Sequence, residues 1–154
     1  MNINDLLRGG TLCLSKAGAA IGGTTTKVKS AAPNGAGIDF AIDGIMYHKA
    51  DADNIWTLSG DDQTALYSRI YLLQLNASGT MSIVQGEEVL TANVTDLSDV
   101  LVWPAPTADT CVVAAVRVDA GASAFVPGTT ALTGGTVTVT YYDLINVPAA
   151  PIAS

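Results

Sequence analysis

Charge is scarce in this sequence. Asp, Glu, Lys and Arg together make up 14% of its 154 residues, against roughly 25% in an average soluble protein. So little mixed charge leaves a free surface poorly covered, which favours a chain whose faces are covered by partners or sister subunits. Basic residues are rarer still. The seven Lys and Arg are scattered from Arg8 to Arg117, so no basic patch exists to neutralise a row of phosphates, and nucleic acid is not an expected partner. No apolar run approaches a membrane span, and "MNINDLLRGGTLCLSKAG" lacks a basic stretch followed by an apolar one. The expectation is a protein made in the cytoplasm that stays soluble, with no membrane partner.

Groups that carry chemistry are equally sparse. There are two cysteines, Cys13 and Cys111, each in an apolar context ("TLCLS", "TCVVAAV"). Neither has zinc-ligand spacing, and both read as buried free thiols. His48 is the single histidine, so a Ser-His-Asp or Cys-His mechanism has one candidate base, with no orienting partner in view. "DADNIWTLSGDD", residues 51–62, opens like a calcium loop at Asp51 and Asp53. It has Trp56 where the sharp turn requires glycine, and Asp62 where glutamate is usual. Glu87 and Glu88 are adjacent, point to opposite faces of a strand and read as two exposed charges. The "GG" pairs are not followed by a Lys-Ser/Thr or a helix, so they cradle no phosphate. From these residues no enzyme can be assembled, and neither cofactor nor metal is expected.

What the sequence does contain is β-forming alternation broken by turn chemistry. Asp43-Gly44 sits between the alternating runs "IDFAI" and "IMYHK" and suits a type I′ hairpin. "SRIYLLQL", "NASG" and "TMSIVQG" form a second hairpin. In it "RIYLLQL" is apolar on both faces and should be buried on both. "TCVVAAVRVD" is a further apolar strand, in which Ala114 and Ala115 admit a close neighbouring layer. Residues 50–65 read as a loop or a short capped helical turn from which Trp56 and Leu58 should tuck inward, and "VWPAPTAD" must be a loop because of its prolines. Asn76 and Asn93 head glycosylation-type sequons, which read here as turn residues. Six to eight short antiparallel strands without a long helix make an all-β fold, a β-sandwich, jelly-roll-like body or short barrel. The boundary falls at residue 37: residues 1–37 read as an N-terminal extended arm, and 38–154 as one β domain. Within the arm, "INDLLRG" suggests a helical turn, and "TTTKVKSA" an edge strand guarded by Lys27 and Lys29.

Taken in order, "GGTLCLSKAGAAIGGTTTKVKSA", "FAIDGIMYHKADADN", "RIYLLQLNASGTMSIVQG" and "CVVAAVRVDAGASAFVPGTTAL" resemble small virion proteins of tailed bacteriophages. These are the decoration, or cement, proteins on the outside of the head, and the related head-fibre bases. The recurring shapes are an "I-D-G-x-x-Y-x-K-A" hairpin, here Ile42, Asp43, Gly44, Tyr47, Lys49 and Ala50, and an "F-x-P-G-T-T-x-L" turn. The turn corresponds to Phe125, Pro127, Gly128, Thr129, Thr130 and Leu132. The resemblance implies a β-rich body, commonly a homotrimer, bound to the major capsid protein on the outer surface of the virion and made in the host bacterial cytoplasm. A fibre or receptor-binding extension is missing after "NVPAAPIAS", so host binding is not implied. Two other readings stand beside the decoration protein. One is a different virion part, such as a head-fibre base or tail adaptor. The other is a carbohydrate-binding β-sandwich using exposed aromatics.

Two sets of residues are the candidates for contact. Flexible Gly/Thr-rich segments can order along a neighbour on assembly. Leu12, Ile21, Thr24, Thr25 and Thr26 are therefore expected to form a capsid-bridging arm. In "GTVTVTYYD", Val137, Val139 and Tyr141 should face inward, leaving Thr136, Thr138, Thr140 and Tyr142 as an outward, uncharged row. That row is the candidate subunit contact surface.

Overall fold

The computed structural model describes residues 10–152. The helical turn expected over residues 3–9 lies outside the described residues. From Gly10 onward the chain is all-β, as expected, and its strands form three antiparallel sheets. The main sheet runs in the order β11-β10-β7-β8, with β11 at Val137–Asp143, β10 at Thr110–Ala120, β7 at Tyr67–Asn76 and β8 at Met81–Gln85. The short β9, Val89–Leu90, also pairs with β7.

Against this sheet lie two three-stranded ones. The first has the order β1-β4-β5, with β1 at Leu12–Cys13, β4 at Ile38–Ile42 and β5 at Ile45–Lys49. The second is β2-β3-β6, with β2 at Ala20–Ile21, β3 at Lys27–Lys29 and β6 at Trp56–Thr57.

Both hairpins form as their turns require. Asp43 and Gly44 have φ of 51° and 81°, the paired left-handed residues of a type I′ turn, and Ile42 faces Ile45 across it. In the second hairpin Gly79 has φ 73° and its N–H donates to the Asn76 carbonyl. The Asn76 side-chain oxygen accepts from the Ser78 and Thr80 N–H groups, which is why an asparagine begins this turn. Asn76 is thus the turn residue its sequon suggested. Asn93 instead sits in a five-residue helix, α1, at Thr91–Thr95.

The principal core lies between the sheets. Ile38, Phe40, Trp56, Leu58, Tyr71, Leu73, Val116, Val118 and Phe125 are buried in it. Ser68 to Leu75 of β7 are buried without a break, the doubly covered strand its composition predicts. Its second face carries a smaller core of Ile70, Leu72, Val112 and Ala115, roofed by Val94 of α1, Leu101, Trp103, Val147 and Ile152. Ala114 and Ala115 each serve one of the two cores. Their small side chains let β10 be covered on both sides.

The expected arm does not stand apart from the body over residues 10–37. Cys13, Ala17 and Val28 are core residues, and β1 pairs with β4 in the register Leu12–Ala41 and Cys13–Phe40. β3 is no edge strand either, since it lies between β2 and β6. The physical reason is non-local. Short Gly-rich pieces too brief to signal themselves as strands gain stability from partners distant in sequence.

Candidate functional site

Several residues suspected of chemistry are held by structural bonds, while Glu87 and Asp62 are exposed. His48 Nδ1 lies 2.7 Å from Asp39 Oδ1, its cross-strand partner on the outer face of the hairpin. Both thiols are free and buried. Burial pushes Cys111 up to about 12, with a smaller contribution from Cys13. Burial also raises Cys13, although the Ser15 carbonyl accepts its hydrogen bond.

The calcium-like loop is tied down by its own side chains. Asp51 accepts from Ala32 N–H, Asp53 from Gly23 N–H and Asn54 from Thr24 N–H. Among the described residues no His, Cys, Asp and Glu gather into a metal-binding group. Glu88 differs from the expected exposed charge. It is half-buried, 3.2 Å from Arg69 Nη2, and accepts from both the N–H and the hydroxyl of Thr64. Burial acts to raise its carboxyl. The Thr64 bonds and the Arg69 charge outweigh burial and hold it below 4.5.

Of the nine aromatic residues, Phe40, Trp56, Tyr71 and Phe125 are buried and the other five are half-buried. Phe40 stacks on Tyr47 and Tyr71 meets Phe125 edge-on inside the body.

The threonine row divides. Thr136, Thr138 and Thr140 are exposed, and Val137, Val139 and Tyr141 pack against the main core. Tyr142 leaves the row, because its ring is half-buried against Trp103 under the segment that follows β11. The period-two pattern assigns Tyr142 its face, but only the distant Trp103 decides that this end of the face is covered. Burial raises the Tyr141 phenol, whose oxygen has no hydrogen-bond partner among the described residues.

The arm candidates divide too. Ile21 is turned into the main core, since β2 is committed to β3. Thr24 and Thr25 are exposed and Thr26 half-buried, in the tight turn between β2 and β3, where Lys27 N–H donates to Thr24. Leu12 lies on the outer face of the β1-β4-β5 sheet, in one cross-strand row with Ala41 and Met46. Beside it runs a groove of about 430 Å³ lined by Leu12, Leu14, Lys16, Asp143 and Ile145, among others. Leu14, Ile145 and Met46 are exposed apolar side chains on or next to this face.

No residue-type pattern flagged this surface. Leu12 of β1 and Leu14 just after it occupy alternate positions of one segment, Met46 sits on β5, and Ile145 arrives from the other end of the chain. No helix among the described residues is long and apolar enough to cross a membrane. Comparison with protein-family models, curated proteins and solved structures finds no match for this chain.

Proposed function

We propose that this chain is a non-enzymatic structural protein of a virion. In this reading it is a decoration, or cement, protein that sits on the outside of a phage head and bridges neighbouring major capsid protein subunits. The observation that carries the proposal is the outer face of the β1-β4-β5 sheet. There Leu14 and Met46 are exposed, Leu12 is half-buried, and Ile145 lines the adjoining groove. Contiguous apolar surface of this kind on a sparsely charged protein marks a place where another protein sits.

The surrounding groups suit the same role. Lys16–Asp143 and His48–Asp39 form a polar rim around the apolar residues, the arrangement usual at interfaces. A symmetric shell repeats each weak contact many times. Modest affinity per copy then suffices to clamp capsomers against the pressure of packed DNA. Three copies at each site is the arrangement the sequence resemblance implies.

The test is co-sedimentation. Heads lacking the protein are mixed with the purified chain or with its Leu14→Asp and Met46→Lys variants, whose substituted side chains are solvent-exposed. The parent should saturate the heads and raise their resistance to heat, and each variant should bind several-fold more weakly. Failure of the parent to bind heads, or variants binding as the parent does, overturns the reading. Gold label at the tail would move the chain to a tail adaptor.

A further inference from the structure

Among the described residues the main sheet ends on β11, and no further strand covers that end. Within the same described residues β11 pairs only with β10, in the unbroken register Val137–Ala120 to Asp143–Ala114. Gly121 N–H donates to the Thr136 carbonyl and Leu144 N–H to the Val113 carbonyl. Both bonds belong to the register that sets Val139 opposite Val118. Residues 136, 138, 140, 142 and 144 therefore turn their backbone groups toward β10. Those of Val137, Val139 and Tyr141 turn the other way, and no described residue's backbone bonds to them.

Among the described residues, what closes this edge lies at its far end. Cys13 N–H donates to the Ile145 carbonyl, and Asp143 holds Ala19 N–H and Lys16. The edge from Val137 to Tyr141 carries no Lys, no Pro and no bulge, the devices that ordinarily protect such a strand. The opposite edge of the same sheet is shielded by its own chain: Gln85 of β8 bonds both the N–H and the carbonyl of Asp61. At the other exposed edge, β5 presents His48 and Lys49.

We infer that the open edge of β11 pairs with the same edge of a second copy, antiparallel, about a two-fold axis through Val139. The strand is self-complementary in that register. Val139 meets Val139 of the second copy, and Val137 meets its Tyr141. The outward backbone groups of both strands then face each other in about six hydrogen bonds. On the exposed face Thr138 lies across from Thr140 of the second copy, a favourable cross-strand pair. Asp143 falls opposite Gly135, so no two charges of like sign meet. An axis moved to Tyr141 would drive the second strand into the segment at Cys13–Ala19, and one moved to Val137 would pair residues beyond the strand's end. The contact requires only the purified protein; Thr138 and Thr140 lie outside the proposed capsid-facing groove, so the pairing is tested apart from that reading and from the three-copy grouping on the head.

The test is a charge exchange on the exposed face. Thr138→Lys with Thr140→Lys in one variant places like charges opposite across the axis, and Thr138→Glu with Thr140→Glu does the same with the other sign. Both side chains are in solvent in the single chain, so both variants should fold with the parent's circular dichroism. In sedimentation equilibrium the parent should associate, and each variant alone should fall to about half the parent's mass. Mixing the two variants should restore the parent's mass. A parent that does not associate, or variants that associate unchanged, would remove the contact. Failure of the mixture to recover would overturn the two-fold register. Val139→Pro is a second check: the N–H it removes points away from β10, so association should be abolished while the bonds to β10 remain, and circular dichroism read beside the parent separates this from loss of the core-packed valine side chain.

Discussion

Trp103 stands edge-on to Tyr142, with ring centroids 6.0 Å apart and planes at 80°. The same indole donates from Nε1 to the Ala150 carbonyl at 2.9 Å. One side chain in a proline-flanked loop thus joins the last strand to the C-terminal segment and helps roof the second core. Trp103→Phe should keep the ring contact and lose the hydrogen bond, at about 1 kcal/mol. Trp103→Ala should cost more and expose the segment 144–152 to proteolysis. Chemical denaturation and timed digestion check both. Equal effects of the two variants would show that the hydrogen bond, rather than the ring, does the anchoring.

Acid should weaken the fold through Glu88. Its carboxyl titrates below 4.5 in the folded chain, because the Thr64 hydrogen bonds and the Arg69 charge outweigh the opposing effect of burial. A depressed carboxylate contributes stability that is present above its unfolded value and lost as pH falls through the folded one. The loss should therefore begin near pH 4.5 and grow below it. Glu88→Gln should flatten this part of the pH profile and lower the thermal midpoint at neutral pH by ~3 °C, equivalent to about 1 kcal/mol. Melting curves at a series of pH values test it.

Neither thiol should react in the folded protein. Cys111 titrates at about 12 and Cys13 is also raised, with both side chains buried. Thiolate is the reactive form, so a thiol reagent at pH 8 should label the native chain only on the timescale of unfolding. Denatured protein should release two reactive thiols. Because burial favours the protonated thiol, this contribution is complete below pH 9.0 and lost as pH rises toward about 12. Rapid labelling of native protein would contradict the burial.

Two glycines should respond differently to alanine. Gly44 has φ +81° and open space where a Cβ would stand, so Gly44→Ala should cost only the left-handed backbone penalty of about 1 kcal/mol. Gly18 has a similar φ of +62°, but a Cβ there would collide with the Ala31 carbonyl. Gly18→Ala should lose at least twice as much stability. Equal losses, measured by urea unfolding, would mean that the Gly18–Ala31 approach relaxes freely.

Turns and long apolar strands follow from residues adjacent in sequence, whereas Asn93, in a helix, and Glu88, paired with Arg69 and Thr64, depart from their local pattern. Asp43-Gly44 states its own turn, and the uninterrupted apolar residues of β7 and β10 state that both faces are covered. The two-residue strands β1, β2 and β6 carry no such signal. Their place depends on Phe40, Val28 and residues far along the chain, which is why residues 10–37 looked like an arm and are woven into the body. The contact candidates follow the same division. Alternation identified Thr136, Thr138 and Thr140 as an outward row, while Tyr142 and Ile21 were reassigned by Trp103 and by the main core.

By itself the sequence determined an all-β chain, its two hairpins, its buried thiols and a last strand without charge until Asp143. These are properties of residues close together, where turn chemistry and period-two alternation act. Only the tertiary structure decided that β11 is an edge, that its open length runs from Val137 to Tyr141, and that Leu12, Leu14 and Met46 share one outer face beside Ile145. Sheet order and exposure arise from pairings between residues far apart in sequence, such as Cys13 with Ile145. No local pattern encodes which strand will be left without a neighbour.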